Sequence, residues 1–89
     1  MITERYLNHP TFGLLSSLCL IDAEQALFTT LYAQRLFFVV SSSDQSLEFF
    51  TISRHEARVM VESRLRMLKR SGTRQDYHQL QLVHQQTFQ

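Results

Sequence analysis

The sequence holds one cysteine, one proline and two glycines in 89 residues. Cys19 alone cannot close an internal disulfide, so the fold depends on a packed core, and the cytoplasm is the expected compartment. No apolar run approaches the roughly 20 residues of a membrane-spanning helix, or the layout of a signal peptide. With only Gly13 and Gly72 present there is no glycine-rich loop to cradle a phosphate. His9, His55, His78 and His84, taken with Cys19, show none of the spacings that hold a metal, and no Ser, His and Asp stand in the local context of a nucleophilic triad. A chain of this size buries only about 60% of the surface that its unfolded form exposes, which disfavours a deep catalytic pocket. The expectation is a protein that is not an enzyme and carries no cofactor.

What is present is core material: 44% of residues are hydrophobic and seven are Phe. The richest run is Leu31-Tyr32-Ala33-Gln34-Arg35-Leu36-Phe37-Phe38-Val39-Val40. Read as a strand from Arg35, it places Arg35, Phe37 and Val39 on one side and Leu36, Phe38 and Val40 on the other, so both faces are apolar. A small sheet buries one such face by itself. The other must lie under a second element or be held out for a partner.

In chain order, residues 1 to 10 are polar and end in the turn signal Asn8-His9-Pro10. Thr11 to Ile21 reads as a long strand, with Gly13 near a bulge or a close backbone approach. Asp22 to Gln34 is ambiguous: Asp22 with Gln25 has the form of a capping box, whereas Phe28-Thr29-Thr30-Leu31-Tyr32 favours a strand. A longer loop, Ser41 to Ser46, joins the central strand to Leu47-Glu48-Phe49-Phe50-Thr51-Ile52 in a hairpin. Ser53 and Glu56 then form a capping box, and Ala57, Met60, Val61, Leu65 and Leu68 mark one face of a helix. Lys69 and Arg70 complement its negative end, and Gly72 is placed for a left-handed cap. Thr73 and Asp76 open a second helix with a narrower stripe of Tyr77, Leu80, Val83, His84 and Thr87 or Phe88; the short link implies an antiparallel pair.

Charge is unevenly spread. Residues 1 to 53 carry two cations against five acids, and residues 54 to 89 carry seven against three. Arg54, Arg58, Arg64, Arg66, Lys69, Arg70 and Arg74 therefore admit a second reading, a nucleic-acid-binding module using the basic helix. Against it, Glu56 and Glu62 interrupt the positive charge, and the chain as a whole is near neutral; a solvated face that also docks on the acidic half is the simpler account. Tyr32 with Phe38, Phe49 and Phe50 has the residue types of an aromatic cage for a methylated ammonium, although such residues more often form core or an interface anchor.

Three stretches carry a more specific signal: Tyr6-Leu7-Asn8-His9-Pro10-Thr11-Phe12-Gly13-Leu14-Leu15, then Leu31-Tyr32-Ala33-Gln34-Arg35-Leu36-Phe37-Phe38, then Glu56-Ala57-Arg58 with Arg64-Leu65-Arg66. In these the sequence resembles the PipX family, the PII-interacting proteins of cyanobacteria, over essentially its whole length, with departures at Met1 to Arg5, Ser16 to Glu24 and Ser41 to Gln45. The resemblance implies an α+β chain: a small Tudor-like (SH3-like) β-barrel over residues 1 to 53, and two C-terminal antiparallel helices over residues 54 to 89. It resolves Asp22 to Gln34 largely as strand. It further implies a non-catalytic adaptor that binds the trimeric PII signal protein or coactivates the dimeric CRP-type transcription factor NtcA, exchanging between them with 2-oxoglutarate and ATP/ADP status. By the same resemblance Glu4, Thr11, Phe12, Gly13, Tyr32, Gln34, Arg35, Leu36 and Phe38 form the partner-binding surface. The free chain is expected to be a monomer, and its interrupted basic helix and lack of long apolar runs predict that by itself it binds neither a specific DNA sequence nor a membrane.

Overall fold

The computed structural model describes residues 4–31, 36–44 and 46–88. Five strands, β1 (Tyr6–His9), β2 (Gly13–Leu20), β3 (Gln25–Thr30), β4 (Phe37–Ser43) and β5 (Ser46–Ile52), precede two helices, α1 (Arg54–Ser71) and α2 (Arg74–Phe88). The strands form an antiparallel meander in sequence order, curled into a half-barrel. This is the α+β, Tudor-like architecture with two C-terminal helices that the sequence implies.

The two apolar faces of the central run are both used. Inside the curl, Phe38 and Val40 pack with Leu15, Ala26 and Phe28, and Leu7, Leu20 and Phe49 lie against them. On the outer face Phe37 joins Leu27 and the helical residues Ala57, Val61, Leu80 and Phe88. The second element is thus the helix pair. Full burial of an aromatic such as Phe37 contributes about 1.5–3 kcal/mol relative to exposure, so covering the second face of the strand adds to the stability of the sheet.

The curl has a local cause in β2. Its register against β3 runs Ser17 to Phe28 and then Cys19 to Leu27, so Leu18 is an extra residue. The bulge turns Leu18 and Cys19 together toward the helices, while Leu20 returns to the inner cluster. The bulge expected near Gly13 therefore lies five residues further on. Gly13 serves instead at the entrance of β2, at φ 77, where a side chain would be strained.

One open choice falls as the family resemblance implies, with β3 at Gln25–Thr30, and two other expectations are corrected. The Asp22–Gln25 signal is a turn, not a helix start: Asp22 Oδ1 accepts from the Glu24 and Gln25 N–H groups at 2.8 and 2.9 Å, closing the β2–β3 hairpin. The oxygen satisfies nearby N–H groups as it would in a helix cap, but Gln25 leads into β3, so strand pairing decides. The Ser41 to Ser46 loop is largely strand, since Ser43 pairs with Ser46 and Asp44 takes φ 48 in a tight turn. Residues 6 to 9, read as polar lead-in, form β1 against β2.

In α1 the Ser53–Glu56 capping box is formed in both directions, at 3.0 Å each way. Gly72 ends α1 with an extended backbone, φ −91 and ψ 177, rather than the left-handed cap expected. It is small for another reason: a Cβ there would lie 2.6 Å from Leu68 Cδ2 and 2.9 Å from the Leu68 Cα and carbonyl oxygen, to which the Gly72 N–H donates at 2.8 Å. In α2 the Asp76 N–H donates to Thr73 Oγ1 at 3.1 Å, and both Thr87 and Phe88 are buried.

Candidate partner-binding surface

A meander brings alternate connections to the same end of the sheet. The β1–β2 turn and the β3–β4 connection share one rim, which is also where β5 hands over to α1. Glu4, Asp22 and Asp44 belong to the opposite end.

The β1–β2 turn is built on His9. Its Nδ1 accepts hydrogen bonds from the Thr11 and Phe12 N–H groups at 3.0 and 3.2 Å, an arrangement that places the ring proton on Nε2. The imidazole is also packed, stacking on Phe38 with ring centroids 5.7 Å apart, meeting Phe49 edge-on at 5.1 Å, and lying 5.0 Å from Phe12. Phe12 is 5.5 Å from Phe38 yet remains 41% exposed. One His side chain therefore aims a large apolar ring at solvent from a turn fastened to the inner core. On the neighbouring connection Leu36 is 40% exposed, and its carbonyl accepts from the Thr29 hydroxyl at 2.8 Å and the Thr30 N–H at 3.2 Å. The Leu31 N–H donates to the Leu14 carbonyl at 3.0 Å, tying that connection to β2.

Of the residues expected at the surface, the structure brings Thr11, Phe12, Gly13 and Leu36 to this rim. Tyr32, Gln34 and Arg35 lie outside the described residues. Phe38 is 1% exposed, so it supports Phe12 from below rather than lining the surface. Its burial, with Phe49 beside it and Phe50 on the other face of β5, also removes the aromatic cage as a reading of those three. Glu4 is exposed but precedes β1, at the opposite end from Phe12. His9 is not among the site residues expected from the sequence; the available signal is its place between Asn8 and Pro10 with Phe12 three residues on.

Two of the basic residues of α1 are engaged within the fold. Arg58 pairs with Glu62 at 3.2 Å, and the Arg54 guanidinium lies 5.4 Å from the centre of the Phe88 ring. Glu62 also meets His84 Nε2 of α2 at 3.0 Å. These two partners, His84 first and Arg58 second, hold the Glu62 carboxyl below its ordinary range. Among the described residues no group of His, Cys, Asp and Glu is placed to hold a metal, and no helix is long and apolar enough to cross a membrane.

A family profile described as PipX, PII-interacting protein X, matches residues 3–88. The chain belongs to this family. A comparison with curated proteins returns no match. The PipX profile spans β1 through α2, so the sheet, the His9-braced turn and both helices all fall within the family's extent. PipX proteins are PII-interacting and regulatory, and the exposed apolar rim on a small domain suits contact with another protein better than chemistry on a small substrate.

Proposed function

We propose that this protein is an adaptor that binds either the PII trimer or the NtcA dimer through the rim carrying Phe12 and Leu36, together with Tyr32, Gln34 and Arg35. In the NtcA complex it acts as a coactivator. Exchange between partners follows 2-oxoglutarate and ATP/ADP status, read by the partners and not by this chain. The observation that carries the reading is the exposed Phe12 ring, held out by the His9 Nδ1 bonds within one of the stretches that carry the family likeness. Residues 1–53 act as the partner-binding unit and 54–89 as an accessory helical unit. Docking of α2 is conditional, with the opened form selected by PII and the closed form kept in free protein and with NtcA. A partner reverses docking only by binding the opened form tighter than the closed one. The protein works in the cytoplasm, as a monomer when free.

The nucleic-acid module has less support, since Arg54 is engaged by Phe88 and Arg58 by Glu62. The experiment is a binding assay of Phe12→Ala and Tyr32→Ala against PII and NtcA, with circular dichroism on the same samples. Folded variants weakened toward both partners support the reading. Normal binding to both, or a specific DNA shift by the chain alone, overturns it.

A further inference from the structure

Where the helices leave the edge of the sheet there is a cleft of about 550 Å³, within the size range of small-molecule sites. Its apolar wall is Leu18, Cys19, Leu68, Leu80 and Val83, contributed by β2, α1 and α2. Burial pushes the Cys19 thiol up to about 11, against a smaller opposite influence of Arg64, so at neutral pH it is an uncharged part of that wall. The polar lining has a definite sign: Arg5 comes from before β1 and Arg64 from α1, with Asp76 as the one carboxylate. Among the described residues, the ion pairs of this protein involve neither arginine.

A second observation concerns the β2 edge at the same place. β1 begins at Tyr6, opposite Ser16, and beyond it only the Ser17 N–H reaches back, to the Arg5 carbonyl at 2.8 Å. The Leu18–Leu20 half of β2 therefore has no strand on that side among the described residues, and it offers backbone polar groups to the cleft.

The geometry points to a binding site for a small carboxylate bearing an apolar tail, its head between Arg5 and Arg64 and its tail along Leu18, Leu80 and Val83. Two guanidinium groups against one acid leave a single positive charge to be matched, which favours a monoanion over a doubly charged phosphate. Because α2 supplies one wall, the occupant binds the docked arrangement and by linkage holds α2 against the sheet.

The test is an NMR titration of the full chain with decanoate below its micellar concentration, beside decanol, decyltrimethylammonium and octyl phosphate. Saturable shifts at Leu18, Cys19, Leu80 and Val83 are expected, with decanoate at least about tenfold tighter than decanol or the cation, a gap of about 1.4 kcal/mol. Alkylation of Cys19 and amide exchange at Leu80 to Val83 should both slow on saturation. In the Arg5→Gln, Arg64→Gln double variant the preference for decanoate over decanol should vanish while decanol binding persists. Equal binding of decanoate and decanol by the native chain, tighter binding of octyl phosphate, shifts centred on Phe12 or Phe50, or no saturable binding would each overturn the assignment.

Discussion

Phe88, at the end of α2, stacks on Phe37, at the start of β4, with ring centroids 5.5 Å apart and planes 22° from parallel. Arg54 of α1 lies over the same Phe88 ring, and His84 stands 5.6 Å away, so one aromatic residue joins both helices to the sheet. The contact closes the outer core at the end of α2 away from the α1–α2 turn.

Phe88→Ala should therefore loosen α2 before it unfolds the sheet. Core Phe→Ala changes cost about 3–5 kcal/mol, but a helix end can fray instead of holding a cavity, so a loss of about 2–3 kcal/mol is expected. Phe37→Ala should cost more, since a strand in the middle of the sheet cannot withdraw. Urea denaturation gives the two losses, and amide exchange shows whether the Phe88 effect is confined to α2.

The Glu62 hydrogen bonds to His84 and Arg58 predict an acid-sensitive helix pair. Its carboxyl is held below the ordinary value of 4.5 in the folded protein, first by His84 and then by Arg58. A group depressed by folding stabilises above its unfolded value, and that contribution is lost as pH falls through the folded one. Denaturation midpoints from pH 7 to pH 3 should fall less steeply for Glu62→Gln than for the native chain. Glu56, lowered by its capping bonds with Ser53, should leave a residual slope.

Gly72→Ala and Gly13→Ala should fail for different reasons. At Gly72 the Leu68 Cδ2 can rotate away but the Leu68 Cα and carbonyl oxygen cannot, so the α1–α2 turn must shift and α2 docking weakens. At Gly13 nothing lies within 4 Å of the added methyl, and the loss is the strain of φ 77, about 1–2 kcal/mol. Thermal melts should rank both below the native chain, with altered α2 amide exchange only for Gly72→Ala.

The elements were legible where one physical signal acted alone. The Ser53–Glu56 box, the α1 stripe and the two apolar faces around Phe37 and Phe38 each have a single low-energy solution. Where signals competed, the sheet decided. Asp22 presents the same acceptor to a hairpin as to a helix, and only pairing of Gln25–Thr30 with β2 and β4 chooses between them. β1 has no apolar pattern of its own and exists because β2 offers it a ladder. At the rim, Phe12 and Leu36 could be named from the family likeness. The roles of His9 as acceptor and Phe38 as buried support depend on contacts between strands that spacing does not reveal.

His9→Phe separates packing from hydrogen bonding at that rim. The ring contacts with Phe38 and Phe49 can be kept while the Thr11 and Phe12 N–H groups lose their acceptor. Stability should change by less than about 1.5 kcal/mol, the net worth of an ordinary hydrogen bond, because both groups are near solvent. Partner affinity should fall more than stability does, and His9→Ala should lose both. Calorimetric melts beside binding curves for PII and NtcA give the comparison.

If one rim serves both partners, PII and NtcA exclude one another from the chain. Labelled chain is saturated with PII, NtcA is titrated in, and the species are resolved by analytical ultracentrifugation. Every chain gained by NtcA should be lost from PII, and Phe12→Ala, which removes an exposed aromatic anchor, should lower both affinities, by about 2 kcal/mol if it stands at the interface centre. A stable species containing all three proteins, with Phe12→Ala affecting only one partner, would contradict a shared rim.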